Sequence, residues 1–281
     1  MCHRKENIAD INKISVLMSL YYKEKPKYLS LCLDSLVKQT RKADEVVIII
    51  DGEIGDDLKN ILEEYSNLLP IKAIYLSDNV GLGAALNIGL LHCSGELIAR
   101  MDTDDISTDN RLMIQEKYIL SKELDIIGTG AYVIDLNGDI TGFRINPKEH
   151  SEIVKNLWKN PFIHPSVMFK KSKVEAIGAY NCSLKRRQDY ELWFRAAKKG
   201  LKFGNVEEKL IKYRFGQHTL EKQSIKLAFN QGVIGFRGSV SCQLGLVKAI
   251  VCFVPFFRSL FPISLQIRIT KLIKFIDSRS R

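Results

Sequence analysis

Short apolar runs recur along the first hundred residues, separated by segments with helical spacing. "ISVLMSL" (Ile14–Leu20), "EVVIII" (Glu45–Ile50), "IKAIYL" (Ile71–Leu76) and "ELIARM" (Glu96–Met101) are rich in β-branched residues and nearly continuous in apolar character. Runs of that length and composition predict strands buried on both faces. Tyr28–Lys38, Asp57–Ser66 and Gly81–His92 read as the intervening helices, with Leu58, Ile61, Leu62 and Tyr65 on one face of the second. Strand alternating with helix at this spacing predicts an α/β fold, a mostly parallel sheet flanked by helices. Such sheets bind ligands beyond the carboxyl ends of their strands.

Three of the predicted strands end in residues suited to binding. Tyr21 and Tyr22 follow the first, Asp51 and Gly52 the second, and Asp102, Thr103, Asp104 and Asp105 the fourth. An Asp-Gly after a strand is by itself most often a turn. In a parallel sheet, however, all three positions share one edge, so an aromatic surface and four carboxylates meet in a crevice. Crowded carboxylates cost free energy unless a positive group sits among them. An aromatic ring can stack on a nucleobase, a carboxylate can accept from a base N–H or ribose hydroxyl, and an acidic pair can hold a divalent cation bridging a diphosphate. The pattern therefore predicts a nucleotide-sugar site. Asn79 stands where a helix N-cap is expected, before the small residues Gly81, Gly83, Ala84 and Ala85, which favour close helix-to-sheet packing. Asn79 and Asn87 are also candidates to reach ligand hydroxyls, and Arg100 either pairs with the acidic cluster or faces solvent.

Composition narrows the class. At 281 residues, 46% hydrophobic and 26% charged, the chain suits one large domain with a tail and excludes wholesale disorder. Its six cysteines have no CxxC pair or regular spacing, which points away from a zinc site or disulfide framework and towards a reducing cytoplasm. The polar start, "MCHRKENIAD", lacks the apolar core of a secretion signal, so the protein is expected to stay inside the cell.

The net charge of +10 is uneven: from Lys198 onwards there are 16 Lys or Arg against 4 Asp or Glu, and before it 26 against 28. Within that basic third, "GLVKAIVCFVPFFRSLFPIS" (Gly245–Ser264) is apolar and aromatic but broken by Pro255 and Pro262. It is too interrupted for a spanning helix, which needs roughly 20 apolar residues. An interfacial segment on an anionic membrane surface and a helical pair packed on the body are equally compatible readings. No recognisable nucleic-acid module is present, so nucleic acid is not expected as a partner.

"NVGLGAALNIGL", "GELIARMDTDDIS" and "NRLMIQ", followed later by "PFIHPSVMFKKS" and "QDYELWFRAAKKG", together resemble the family 2 glycosyltransferases. The resemblance runs from about Ser15 to Arg214 and is nearest to bacterial enzymes of O-antigen, capsule and exopolysaccharide assembly. It implies a GT-A fold at 13–218, with a nucleotide-binding half at 13–106 and an acceptor half at 107–218. An N-terminal extension (1–12) would precede it, and a basic, apolar, membrane-associating helical segment (219–281) would follow. It further implies inverting transfer of one hexose, from UDP-Glc or UDP-Gal, to an N-acetylhexosamine on undecaprenyl diphosphate at the inner face of the cell membrane. The QxxRW element and multiple spans of processive members are not visible in the sequence.

Carried over residue by residue, Asp102-Thr103-Asp104 matches the DxD motif. Asp104 would be the direct ligand of Mn²⁺ or Mg²⁺, Asp102 would lie towards the ribose, and Asp105 would act as support. Asp51 matches the base-contacting aspartate, although "DGE" stands where "DDGS" is common and the second acid is missing. Tyr21 and Arg100 join the nucleotide side, and His218 falls where relatives place a histidine near metal or diphosphate. His164 resembles an element near the acceptor. Gln188-Asp189 matches the pair that supplies the base, which assigns catalysis to Asp189, although an Asp at a helix start is otherwise a cap. Arg186 and Arg187 could bind diphosphate, against a default of a solvated basic loop. Two other classes compete: a phosphatase of the haloacid dehalogenase type, suggested by "DTDDI", and a non-catalytic sugar-nucleotide or membrane-surface binding protein.

Overall fold

Side-chain alternation along the first two strands sets the layers. In β1 (Ile14–Leu20), Ile14, Val16, Met18 and Leu20 enter one apolar cluster and Leu17 enters another; in β2 (Glu45–Ile50), Val46, Ile48 and Ile50 oppose Val47 and Ile49 in the same way. A strand apolar on both faces must be covered on both, because leaving each such side chain in water forfeits about 1.5–3 kcal/mol. The computed structural model, which describes residues 12–215, 224–262, 265 and 266, supplies that cover. Helices α1 (Pro26–Val37) and α2 (Asp56–Ser66) pack on one face and α3 (Leu82–His92) on the other. Leu58, Leu62 and Tyr65 of α2 are buried, as the apolar spacing predicts.

The sheet has nine strands in the order β3-β2-β1-β4-β8-β6-β9-β5, with β7 paired to β6. The half made of β3 (Ile71–Tyr75), β2, β1 and β4 (Leu97–Arg100) is parallel throughout. Its carboxyl ends, Tyr75, Ile50, Leu20 and Arg100, therefore lie along one edge. Beyond β4 the expected parallel character gives way to a mixed sheet. β8 (Met168–Lys170) runs antiparallel to both β4 and β6 (Ile126–Ile134), β7 (Ile140–Arg144) is antiparallel to β6, and β9 (Phe203–Arg214) is parallel to β6. The short β5 (Ile106–Ser107), just after the acidic cluster, pairs with the far end of β9. This pairing brings Arg214 to the acidic cluster across more than a hundred residues of chain.

Close approach of α3 depends on Gly89, since a Cβ there would lie 2.3 Å from a Leu17 methyl. Helix-to-sheet packing is thus the role of that glycine. Helices α4 (Arg111–Ser121), α5 (His150–Lys155) and α6 (Lys171–Ala176) complete the outer layers. Helix α7 (Gln188–Lys198) buries Leu192, Trp193 and Ala196; Gly200, at φ +76, lets Gly200 N–H and Leu201 N–H return to Ala197 O and Ala196 O. That is a left-handed C-terminal stop.

The described stretch of the basic C-terminal part, 225–259, is mostly helical and packs on the body through one face. Helix α8 (Ile225–Ser241) lies on α7 so tightly that a Cβ on Gly238 would meet the Phe194 ring at 2.3 Å. Helices α9 (Leu246–Val251) and α10 (Val254–Ser259) lie against α8. Their outer faces leave Leu246, Val247, Ile250, Phe257 and Leu260 exposed. Both readings of the tail are therefore compatible with its two faces. Among the described residues no helix is long and apolar enough to cross a membrane.

Candidate active site

The carboxyl edge of the parallel strands opens into a cavity of about 1550 Å³. Tyr21, Asp51, Asn79, Arg100, Asp102, Asp104, His164 and Asp189 all line it. Its volume exceeds the roughly 300–1,000 Å³ of pockets for one small ligand, so two substrates fit. His218 lies outside the described residues.

Asp51 follows β2, held by its own N–H to Leu20 O at 2.7 Å. Its carboxylate, almost fully buried, accepts from Val80 N–H (2.7 Å), Gly81 N–H (3.1 Å) and the Asn79 amide (3.0 Å). Asn79 is therefore not the N-cap predicted from its position. Helix α3 begins at Leu82, Gly81 takes the cap position with φ +86, and no side chain caps it. A buried carboxylate thus uses backbone donors that a local cap would otherwise have met. The glycine that follows Asp51 is required by the backbone: Gly52 has φ +88, and a Cβ there would stand 3.0 Å from Asn79 N.

Asn87 does not line the cavity. Its amide donates to Tyr180 O (2.8 Å) and accepts from Tyr180 N–H (2.9 Å), so it ties α3 to the loop before α7 instead of reaching a ligand.

The three clustered carboxylates occupy different environments. One oxygen from each of Asp102, Asp104 and Asp105 lies within 4.8 Å of the others. Asp102 is ion-paired with Arg100, whose guanidinium is buried, which excludes the solvent-facing alternative for that arginine. Asp104 is half-buried, and its carboxyl is pushed up by burial and then by the charges of Asp102 and Glu24. Asp105 is fully buried and outside the cavity lining; Oδ1 accepts from Arg214 N–H at 2.7 Å, and Oδ2 has no partner among the described residues. Its carboxyl is raised well above the usual range by burial, then by Asp104 and Asp102. Asp105 therefore supports the loop from beneath, while Asp102 and Asp104 line the cavity. Three carboxylates this close fit a hard divalent cation.

Several residues that sequence reasoning passed over hold this acidic loop. Glu24, after β1, accepts from the Thr103 hydroxyl, so the middle residue of the motif is tied to another acid; burial, partly offset by that bond, raises the Glu24 carboxyl. Arg214, at the end of β9, donates from Nε to Asp104 O (2.9 Å) and from Nη1 to Asp135 O (2.7 Å), with its guanidinium 4.0 Å from the Tyr28 ring centre. Arg111, fully buried, donates to Gln115 Oε1, Ser107 Oγ and Arg100 O. The "NRLMIQ" segment was a signal for Arg111, but nothing local in the sequence marks Glu24 or Arg214.

Across the cavity stands Asp189, half-buried in the first turn of α7. Arg187 holds the cap position in a left-handed conformation, φ 67, and makes no side-chain cap bond. Asp189 Oδ2 instead accepts from the Asn160 amide at 3.2 Å. It is thus held towards the cavity by a neighbouring loop and is not spent on capping. His164, half-buried in the cavity wall, lies 2.9 Å from the Tyr180 hydroxyl, and desolvation followed by the Arg100 charge keeps its pKa well below the usual imidazole range. A neutral ring so placed serves packing and hydrogen bonding.

The haloacid dehalogenase reading requires the aspartates after the first strand, whereas here they follow β4. Comparison with known proteins agrees with the geometry. The model of the family described as Glycosyl transferase family 2 matches residues 15–193. The amylovoran biosynthesis glycosyltransferase AmsE of Erwinia amylovora is 41% identical over 212 residues, covering 74% of this chain and 79% of that protein. An Escherichia coli UDP-Gal:alpha-D-GlcNAc-diphosphoundecaprenol beta-1,3-galactosyltransferase is 34% identical over 225 residues, covering 79% and 82%. Among solved structures, Staphylococcus aureus TarS 1-349 in complex with UDP-GlcNAc superimposes with a TM-score of 0.66 at 20% identity, covering 89% of this chain and 72% of that one, which supports the GT-A fold. A match across most of the sheet, joined to relatives of this identity and coverage, makes the chain a member of glycosyl transferase family 2 and an enzyme of glycosyl transfer.

Proposed function

We propose that the protein transfers one hexose, with inversion, from a nucleoside diphosphate sugar such as UDP-Glc or UDP-Gal to a lipid-linked saccharide during surface polysaccharide assembly. The acceptor we infer is an N-acetylhexosamine on undecaprenyl diphosphate, the kind of acceptor printed in the name of the E. coli relative. The observation that carries the reading is the pairing, in one cavity, of the Asp102–Asp104 cluster with an Asp189 that caps nothing.

Tyr21 offers an aromatic face and Asp51 a carboxylate to the nucleoside, with Asn79 and the Val80 and Gly81 amides holding that carboxylate still. Asp104 and Asp102 would hold Mn²⁺ or Mg²⁺, and a bound divalent ion would offset charge on the departing diphosphate. The acceptor hydroxyl loses its proton to Asp189 as its oxygen bonds to the anomeric carbon. The bond from that carbon to the diphosphate breaks, and its electron pair leaves with the nucleotide. Asn160 orients the Asp189 carboxylate for the attack.

The exposed apolar face of α9 and α10, in a region of positive charge balance, suits peripheral contact with the anionic inner face of the cell membrane. The test is transfer from a donor panel to a synthetic saccharide diphosphate lipid by purified enzyme, with and without Mn²⁺ or Mg²⁺. Metal-dependent product with an inverted anomeric centre supports the reading. Retention of configuration, or undiminished transfer by the Asp189→Asn variant, would falsify it.

A further inference from the structure

The cavity is electrically divided. At the acidic end each of these lining cations has at least one partner: Arg100 has Asp102, Arg214 has two carbonyls and Tyr28, and Lys23 and Lys25 have tyrosine rings, while Arg100 Nε and Nη1 and Arg214 Nη2 make no hydrogen bond among the described residues. Four other lining cations differ. The side chains of Lys185, Arg186 and Arg187, from the loop before α7, and of Lys226, from the first turn of α8, have no hydrogen-bond or ion-pair partner among the described residues. The adjacent acid, Asp189, bonds Asn160 and not these arginines. Arg187 moreover keeps a long side chain at φ 67, where the backbone favours glycine or asparagine. Cations from two separate elements facing one cavity repel each other and focus a field that attracts an anion.

We propose that Lys185, Arg186, Arg187 and Lys226 form a binding site for the diphosphate of the acceptor, separate from the place where the donor's diphosphate departs. The inference rests on the reading of Asp189 as the base and of the acceptor as a saccharide on a lipid diphosphate. On the same reading, a divalent ion held by Asp102 and Asp104 would meet the donor's charge, which would leave these four cations surplus to it. Arg187 lies two residues before Asp189 in the chain. An acceptor hydroxyl at Asp189 puts the phosphate on the anomeric carbon of the same sugar one ring away, on the side of this loop. Lys226 is followed along α8 by the exposed Phe229 and preceded by the exposed Ile225, so the lipid chain leaves the diphosphate over an apolar surface.

The test is a double-mutant cycle between protein charge and acceptor charge. The kcat/KM is measured for one saccharide presented on an alkyl diphosphate and as a neutral alkyl glycoside, with wild type and with the Arg186→Gln, Lys226→Gln double variant. Wild type is expected to prefer the diphosphate by about tenfold or more, and the double variant by no more than about twofold. A preference that survives in the variant overturns the proposal. So does an effect confined to the donor's KM, which would assign the cations to the departing nucleotide. If wild type transfers to neither acceptor, the acceptor reading has failed, and titration calorimetry of inorganic diphosphate in EDTA then reads the cations directly. Binding about tenfold weaker in the variant supports the anion site, and equal binding overturns it.

Discussion

The two ends of the cavity use positive charge in opposite ways. Arg100, Arg111 and Arg214 are buried, bonded and arranged around the acidic loop, whereas Lys185, Arg186, Arg187 and Lys226 are exposed at the α7–α8 side without side-chain partners among the described residues. Burying a guanidinium is costly unless it is paired, so the bonds these three make commit them to holding the fold of the loop, even though Arg100 Nε and Nη1 and Arg214 Nη2 have no partner among the described residues. An exposed guanidinium keeps its water and exchanges it for a ligand at little cost, so the second set remains available. Position relative to solvent, more than residue type, separates the charges that shape the site from those that can meet a substrate.

The largest effects should come from Asp189 and Asp104, the carboxylates that line this cavity. Asp189→Asn is expected to lower kcat by about 10²–10⁴-fold, as for loss of a general base, while the thermal midpoint stays near that of wild type because no cap is lost. A matching collapse of stability would return Asp189 to a structural role. Asp104→Ala should reduce transfer by about 10²–10³-fold and abolish the response to added Mn²⁺ or Mg²⁺ after EDTA treatment. A variant that still responds fully to metal would shift the ligand role elsewhere.

The contrast between the arginines can be broken next. Arg111→Ala leaves Arg100 O, Ser107 and Gln115 without their partner and should destabilise the fold by about 3–5 kcal/mol in chemical denaturation. Arg186→Ala should stay within about 0.5 kcal/mol of wild type. Similar values for the two would erase the distinction drawn from burial. The smallest effect is expected at the tail, where Val247→Glu with Ile250→Glu should weaken co-sedimentation with anionic vesicles by about tenfold without lowering the melting point. Unchanged vesicle binding would leave that face without a lipid role.

Much of the donor side was legible before the fold was known. Nearly continuous apolar, β-branched runs identified β1 and β2, the parallel arrangement followed from the intervening helices, and Asp51 and Asp102 fell at strand ends as expected. Asn79 misled because the same residue type that caps helices locally is here recruited by a carboxylate 28 residues away. Asn87 misled for a similar reason, since its partners are in a loop 93 residues away. Glu24 and Arg214 were illegible because their importance lies wholly in contacts with Thr103, Asp104 and Asp105.

By itself, the sequence determined the layered α/β class, the edge on which ligands bind and the acids presented there, because hydrophobic periodicity and strand direction are local properties of the chain. Only the tertiary structure decided which acid is buried as support, which asparagine holds another residue and which cations are exposed on the cavity wall. Those outcomes depend on β5 pairing with β9 and α8 packing on α7, where burial and partner geometry are set by segments distant in sequence.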